Sequence, residues 1–206
     1  MLFRSRSDLW FSQDQIWSDI IPNGGVDLVL SVEPLEVLRY AHNLKPEGWV
    51  VASSNPFKNI PEYPEIEGLL SRLAALPQHV IVDAKRLAKA AGSGRAENIV
   101  MLGAASWLMP FPDEHVAEVL QDMFGRKGQK IVDVNIRAFD LGRRASAFYR
   151  AGLEAGIKVC DVRRLQKRLD PADLEADAAG IWADALNKIP EGEETLPGTA
   201  DYARSL

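Results

Sequence analysis

The hydrophobic pattern predicts a chain in which short strands alternate with helices. Residues 26–32 form a near-continuous run of apolar residues, mostly valine and leucine, which is typical of a strand covered on both faces. The run ends at Glu33, and Pro34 opens a segment whose helical spacing continues through Leu44, with no linker between strand and helix. Such a switch is the unit of a parallel α/β sheet.

Similar patterns recur along the rest of the chain. Two further strands are predicted at 47–52 and 79–83, and further helices at 65–76, 84–91, 96–109, 113–124 and 131–155. Small residues in the apolar helix 96–109, Gly103 among them, predict a close approach to the sheet. Upstream, weak alternation over residues 8–17 around a polar turn predicts a short hairpin, or an edge strand that reaches Ile21.

These elements predict an α/β fold with a Rossmann-like open, mostly parallel sheet flanked by helices. At 206 residues the chain has room for one substantial domain, which we expect at 6–156. Residues 157–206 differ in character, with acidic stretches, a helical pattern at 176–186 and a polar tail. They are expected to form a helical or irregular extension, either a docking arm or a poorly ordered segment.

Composition and charge argue against several classes of protein. The net charge is −5 and the basic residues are scattered, which argues against nucleic-acid binding. No window approaches the ~20 consecutive apolar residues of a membrane span. The single cysteine, Cys160, allows no intrachain disulfide and no cysteine ligand set for a metal or iron–sulfur cluster, so we expect a cytoplasmic location.

Polar residues stand where each predicted strand ends, at Glu33, Asn55 and Asp83. Ligands of open α/β sheets bind outside the carboxyl ends of the strands, so these residues mark the rim of a cleft. Glu33 is either a ligand for a ribose or a partner amide, or a first-turn carboxylate favoured by the helix dipole. Asn55 is either a second cleft residue or part of a turn, and Asp83 is expected to cap the following helix.

The turn at 92–95, Gly-Ser-Gly-Arg, leads into a helix whose amide groups offer a place for an anion. Arg95 adds positive charge and Asn98 lies in the first turn of that helix, so both are candidate cofactor-binding residues. The alternative is a simple helix entry that Ser93 caps. Neither a Walker loop nor a Gly-x-Gly-x-x-Gly motif occurs in the chain.

Neither catalytic residues nor a metal site are predicted. His42, His79 and His115 are spread over separate elements without metal-ligand spacing. Cys160 has no recognisable base partner. No complete set of acid, base and nucleophile is therefore expected from this chain.

Five segments of the chain resemble one known family, in the same order. They are DLVLSVEPLEVLRY, EGWVVASSNPFKNIPEYP, LPQHVIVDA, GSGRAENIVMLGAAS and FGRKG. The family is the beta subunit of indolepyruvate ferredoxin oxidoreductases, which is built on the gamma domain that 2-oxoacid:acceptor oxidoreductases share. The resemblance runs from about residue 8 to about residue 150.

The resemblance implies a complex that oxidatively decarboxylates aryl-2-oxoacids such as indolepyruvate, with coenzyme A as acyl acceptor and ferredoxin as electron acceptor. In that family the large alpha subunit holds thiamine diphosphate and 4Fe-4S clusters, so no cofactor is expected on this chain alone. The chain is then expected to supply a docking surface and part of the environment of the substrate or coenzyme A.

The sequence departs from that family at its amino end. Family members begin with a strand and a Gly-x-Gly-Gly-Gln-Gly loop, so we expect a truncated chain that lacks the first βα unit and has an artificial start at residues 1–5. A missing central strand would leave a sheet edge unpaired, and the isolated chain is expected to be poorly stable or to aggregate.

Two alternatives stay open at this point. One is the gamma subunit of a pyruvate or branched-chain 2-oxoacid ferredoxin oxidoreductase. The other is a non-catalytic nucleotide-binding or interaction module.

Overall fold

The computed structural model describes residues 6–18, 20–57 and 62–174 of the chain. In this part, three parallel strands form one open sheet in the order β1-β2-β3, with β1 at Val26–Ser31, β2 at Leu44–Ser53 and β3 at His79–Val82. Leu30 of β1 pairs with Val51 of β2, which pairs with Val80 of β3. The predicted α/β fold with an open parallel sheet is confirmed.

Seven α-helices accompany the sheet in the described part of the chain. They are α1 at Pro34–Tyr40, α2 at Ile66–Ala74, α3 at Ala84–Ala91, α4 at Glu97–Ala105, α5 at Asp113–Phe124, α6 at Gln129–Glu154 and α7 at Val159–Arg168. α3 and α5 begin and end where the sequence predicted. None of the described helices is both long and apolar enough to cross a lipid bilayer.

The first helix is shorter than predicted. α1 ends at Tyr40, a 3-10 turn occupies Ala41–Asn43, and Leu44 already belongs to β2, opposite Val26 of β1. A leucine four residues beyond Tyr40 fits the helical period, but its pairing with β1 fixes an extended backbone here. The prediction of a helix through Leu44 was therefore wrong.

The hairpin or edge strand predicted upstream is also absent. Residues 6–18 and 20–25 contain no strand, although the polar turn is present as a bend at Gln13 and Asp14. One side chain of this segment contacts the body of the protein through its ring, since Phe11 meets Phe111 edge-on, with centroids 6.1 Å apart. Weak alternation of side chains is a poor strand signal where no neighbouring strand offers a ladder of hydrogen bonds.

The centre of the sheet is buried on both faces. Val50, Val51 and Ala52 of β2 have no exposed surface, and all four residues of β3 are buried. Successive strand residues point to opposite faces, so the helices cover both sides of these two strands.

α4 and α6 cross with their backbones in contact. A β-carbon on Gly103 of α4 would lie 2.0 Å from the carbonyl oxygen of Phe139, and one on Gly142 of α6 would lie 2.0 Å from that of Val100. The sequence predicted that Gly103 lets α4 approach the sheet. That prediction was wrong for this glycine, because the backbone that Gly103 meets is that of α6.

α7 lies within the predicted extension and packs against the sheet-bearing part. Val162 and Leu165 are buried in the common core. The guanidinium of Arg86 in α3 donates to the carbonyl oxygens of Gln166 and Leu169, which caps the end of α7. The boundary at residue 156 stays a prediction, and the predicted helix 176–186 and polar tail lie outside the described residues.

His79, at the start of β3, makes stability depend on pH. Its Nδ1 lies 2.8 Å from the carbonyl oxygen of Leu76 and therefore carries the proton, while Nε2 is enclosed without a partner in the described structure. Burial lowers the pKa of His79 below its usual value of 6.5. Just below pH 6.5 the His79 imidazole binds a proton more readily in the unfolded chain than in the folded chain. The free energy of unfolding should therefore fall as the pH drops below 6.5.

A His79→Gln variant should lose that part of the acid sensitivity, because no charge can form on the buried amide. The measurement is the urea midpoint at neutral pH and at about pH 5, where the free imidazole is protonated. His115→Gln is the control, because this side chain is exposed. Equal pH dependence in the wild type and the His79 variant would contradict the prediction.

Candidate functional site

Glu33, at the carboxyl end of β1, is held by two hydrogen bonds to its carboxylate. Its Oε2 accepts from the backbone N–H of Glu36 at 2.9 Å and so caps α1, and its Oε1 accepts from the hydroxyl of Tyr63. The backbone of Glu33 is fixed as well, because the hydroxyl of Ser31 bonds to both its N–H and its carbonyl oxygen. Both carboxylate oxygens are therefore engaged within the chain.

Tyr63 is a rim residue that sequence reasoning missed. It belongs to the segment between β2 and α2, and it lies 30 positions from Glu33, so no local pattern signals the contact. Burial, and then the hydrogen bond to Glu33, raise the pKa of the Tyr63 phenol far above its usual range. The phenol therefore stays protonated at neutral pH and acts as a donor that ties its segment to the end of β1.

Asn55 joins the carboxyl ends of β2 and β3. Its Nδ2 donates to Oδ1 of Asp83 at 3.0 Å, while its Oδ1 accepts from the backbone N–H of Lys85 at 2.9 Å and from the hydroxyl of Ser53 at 3.1 Å. Asp83 also caps α3, as predicted, by accepting from the N–H of Arg86 at 3.0 Å.

The rim at the strand ends is thus a set of mutually satisfied caps. Each hydrogen-bonding atom of the Glu33 and Asn55 side chains already bonds to a neighbour, although the second N–H of Asn55 Nδ2 and further lone pairs of the Glu33 carboxylate remain for a ligand. One group of these bonds caps α1 and links the end of β1 to Tyr63, and the other caps α3 and links the ends of β2 and β3. A combination of acid, base and nucleophile is not assembled at this rim by the described residues.

Arg95 and Asn98 do not share a contact with Glu33 or Asn55. Both side chains are exposed at the entry to α4. The hydroxyl of Ser93 accepts from the backbone N–H of Arg95 at 3.3 Å, which is the helix entry that the alternative interpretation expects. The cofactor-binding role of the four candidate residues stays a prediction.

The three histidines and the cysteine differ in how far they are buried. His42 and His115 are exposed, His79 is buried, and Cys160 is half-buried in the first turn of α7. Across the described residues, no group of three histidine, cysteine, aspartate or glutamate side chains is placed to hold a metal ion.

A second polar feature lies beside the rim, between the ends of β2 and β3 and helix α7. It is a small recess lined by Ser54, Ile81, Asp83, Arg163, Gln166 and Lys167. Arg163 is only 8% exposed and forms an ion pair with Glu67 of α2, with Nη1 and Oε2 at 3.2 Å. Sequence reasoning missed this arginine, because its partner lies 96 positions away.

The open parallel sheet, flanked by helices and bearing a polar rim at its strand ends, defines a Rossmann-like α/β protein. Residues 4–145 match the family model described as pyruvate ferredoxin/flavodoxin oxidoreductase. The chain belongs to this family, and the resemblance found in the sequence is confirmed.

Several archaeal relatives are similar to the chain, each named indolepyruvate oxidoreductase subunit IorB. The protein from Archaeoglobus fulgidus is 35% identical over 134 residues, which cover 60% of this chain and 64% of the relative. Those from Pyrococcus horikoshii and Methanothermobacter thermautotrophicus are 34% and 33% identical, over 65% of this chain and 69% and 71% of the relatives. The match to the first of these relatives thus spans less than two thirds of its length.

Proposed function

We propose that the chain is the small subunit of a ferredoxin-dependent oxidoreductase that oxidatively decarboxylates aryl-2-oxoacids, indolepyruvate above all, to the acyl-coenzyme A. The observation that carries the proposal is the likeness to relatives named as indolepyruvate oxidoreductase subunits, at 32–35% identity. Ferredoxin would accept the electrons through the complex, which we place in the cytoplasm.

The chemistry of the side chains supports a division of labour between subunits. A 4Fe-4S cluster needs four cysteine thiolates, and this chain has only Cys160, so its donor set does not fit a cluster. We assign thiamine diphosphate and the clusters to a large alpha subunit, and coenzyme A to the complex as co-substrate. Glu33 and Asn55 would fix the rim of the shared cleft, and the exposed Arg95 and Asn98 would meet charged groups of the co-substrate.

An exposed apolar strip near the amino end supports a docking role. Five large side chains of this strip are 47–85% exposed: Leu9, Phe11, Ile16, Trp17 and Ile20. Several exposed large apolar side chains within one short segment suit a contact site for another protein. Trp17 is the most exposed of them, and tryptophans often dominate the energy of an interface.

The proposal is tested by producing the chain together with a large, thiamine- and iron–sulfur-bearing alpha subunit. Co-purification and coenzyme A-dependent reduction of ferredoxin by indolepyruvate are the expected results. Trp17→Asp should reduce recovery of the large subunit about tenfold or more, as for loss of a central interface side chain. Val119→Asp, at a 52% exposed position on α5, is the control and should not.

A large subunit that keeps full activity after this chain is removed would contradict the proposal. The description of the family favours a second candidate, the gamma subunit of a pyruvate or branched-chain 2-oxoacid ferredoxin oxidoreductase. The kcat/KM ratio for indolepyruvate and pyruvate in the reconstituted complex separates the two.

A further inference from the structure

Arg163 of α7 is a buried cation that is held in one orientation. Its side chain is 9% exposed, and Nη1 donates to Oε2 of Glu67 at 3.2 Å. Glu67 lies in the first turn of α2 and is 38% exposed. This ion pair uses one corner of the guanidinium and fixes the plane of the rest.

On the opposite edge of the same guanidinium, Nε is enclosed and makes no hydrogen bond in the described structure. A buried N–H without an acceptor costs about 1–3 kcal/mol, so such an edge is seldom left empty. The edge formed by Nε and Nη2 is the fork with which arginine binds two oxygens of a carboxylate or phosphate.

Arg163 lines the recess at the ends of β2 and β3, together with further groups that suit an oxyanion. Lys167 lies one turn further along α7 and is an exposed residue that lines the recess. Ser54 follows β2 and also lines it. The carboxylate of Asp83 is the opposing charge. Its Oδ1 accepts from the neutral N–H groups of Asn55 and Arg86, which stabilise this charge without cancelling it, so the two cations have to outweigh it.

We propose that this recess binds a single oxyanion group, a phosphate monoester or a carboxylate, with the Nε–Nη2 edge of Arg163 as its main contact. Lys167 adds a second positive charge, and Ser54 adds a hydroxyl donor. Arg163 and Lys167 lie beyond residues 4–145, so the family match does not assign this site. The site does not depend on the proposed function, since it rests on the contacts of Arg163 and on the residues that line the recess.

The test follows the Nε–H resonance of Arg163 by two-dimensional NMR of the full chain. Titration with millimolar inorganic phosphate or acetate, against sodium chloride of equal ionic strength, should shift this resonance, and Arg163→Lys assigns it by removing it. A larger response to phosphate indicates a phosphate monoester, and a larger response to acetate indicates a carboxylate. A resonance that moves no more with either anion than with chloride overturns the proposal.

Two variants locate the contact. Lys167→Gln keeps the buried core intact and should weaken anion binding about tenfold, the value of one charge-assisted hydrogen bond. Lys158→Gln, at the other end of α7, removes the same charge outside the recess and should leave the affinity unchanged. Equal affinity in the Lys167 variant and the wild type, or an equal loss in both variants, overturns the proposal.

Discussion

Replacing Gly142 with alanine is expected to destabilise the protein by about 3 kcal/mol or more, at the upper end of the cost of overpacking a core. The added β-carbon would lie 2.0 Å from the carbonyl oxygen of Val100 and 3.1 Å from the backbone nitrogen of Ala104. Neither atom can move by rotating a side chain, so α4 and α6 would have to separate. Such a loss is a large fraction of the ~5–15 kcal/mol that stabilises a typical domain.

The measurement is urea unfolding followed by circular dichroism, with the midpoint and the slope both compared with the wild type. Gly94→Ala is the control, since the nearest atom to its added β-carbon is 3.9 Å away. It should change stability by no more than about 0.5 kcal/mol, as is usual at the surface. A Gly142 variant as stable as the Gly94 variant would mean that the two helices separate without cost.

Gly103 and Gly142 also show where sequence reasoning reaches its limit. The small residues of α4 predicted a close approach to the sheet, whereas the backbone that Gly103 meets is that of α6. They did not predict that α6 packs here, because the spacing of small residues in one helix does not determine which helix crosses it. The same limit applies to Leu44, where the period was right for a helix and pairing with β1 placed the residue in a strand.

In the candidate site, too, local contacts were predictable from the sequence and contacts between distant residues were not. Capping by Asp83 was predictable, because a carboxylate before a helix bonds to amides three residues later in the chain. The contacts of Glu33 with Tyr63 and of Arg163 with Glu67 join residues 30 and 96 positions apart. Only the folded chain brings such pairs together. The residues that follow each strand therefore did not predict that Glu33 and Arg163 bond to side chains of this same chain.

Replacing Asp83 with alanine is expected to cost about 2–3 kcal/mol, the sum of a lost helix cap and a lost hydrogen bond to a charged group. Oδ1 of Asp83 accepts from both the N–H of Arg86 and Nδ2 of Asn55, so one truncation leaves two donors without an acceptor. The loss should extend to α7, because Arg86 caps its end. Asp83→Asn keeps an acceptor oxygen and should cost less, about 1 kcal/mol or below for the charge at the helix start.

Asp27→Ala is the matched control, because this carboxylate of β1 is 81% exposed and pairs only with Lys45 among the described residues. It should change the free energy of unfolding by less than about 1 kcal/mol. In a double-mutant cycle, Asp83→Ala and Asn55→Ala should be non-additive by about 1 kcal/mol, since each removes the same bond. Full additivity would mean that the Asn55–Asp83 hydrogen bond does not couple the two side chains, and that only the backbone pairing joins the ends of β2 and β3.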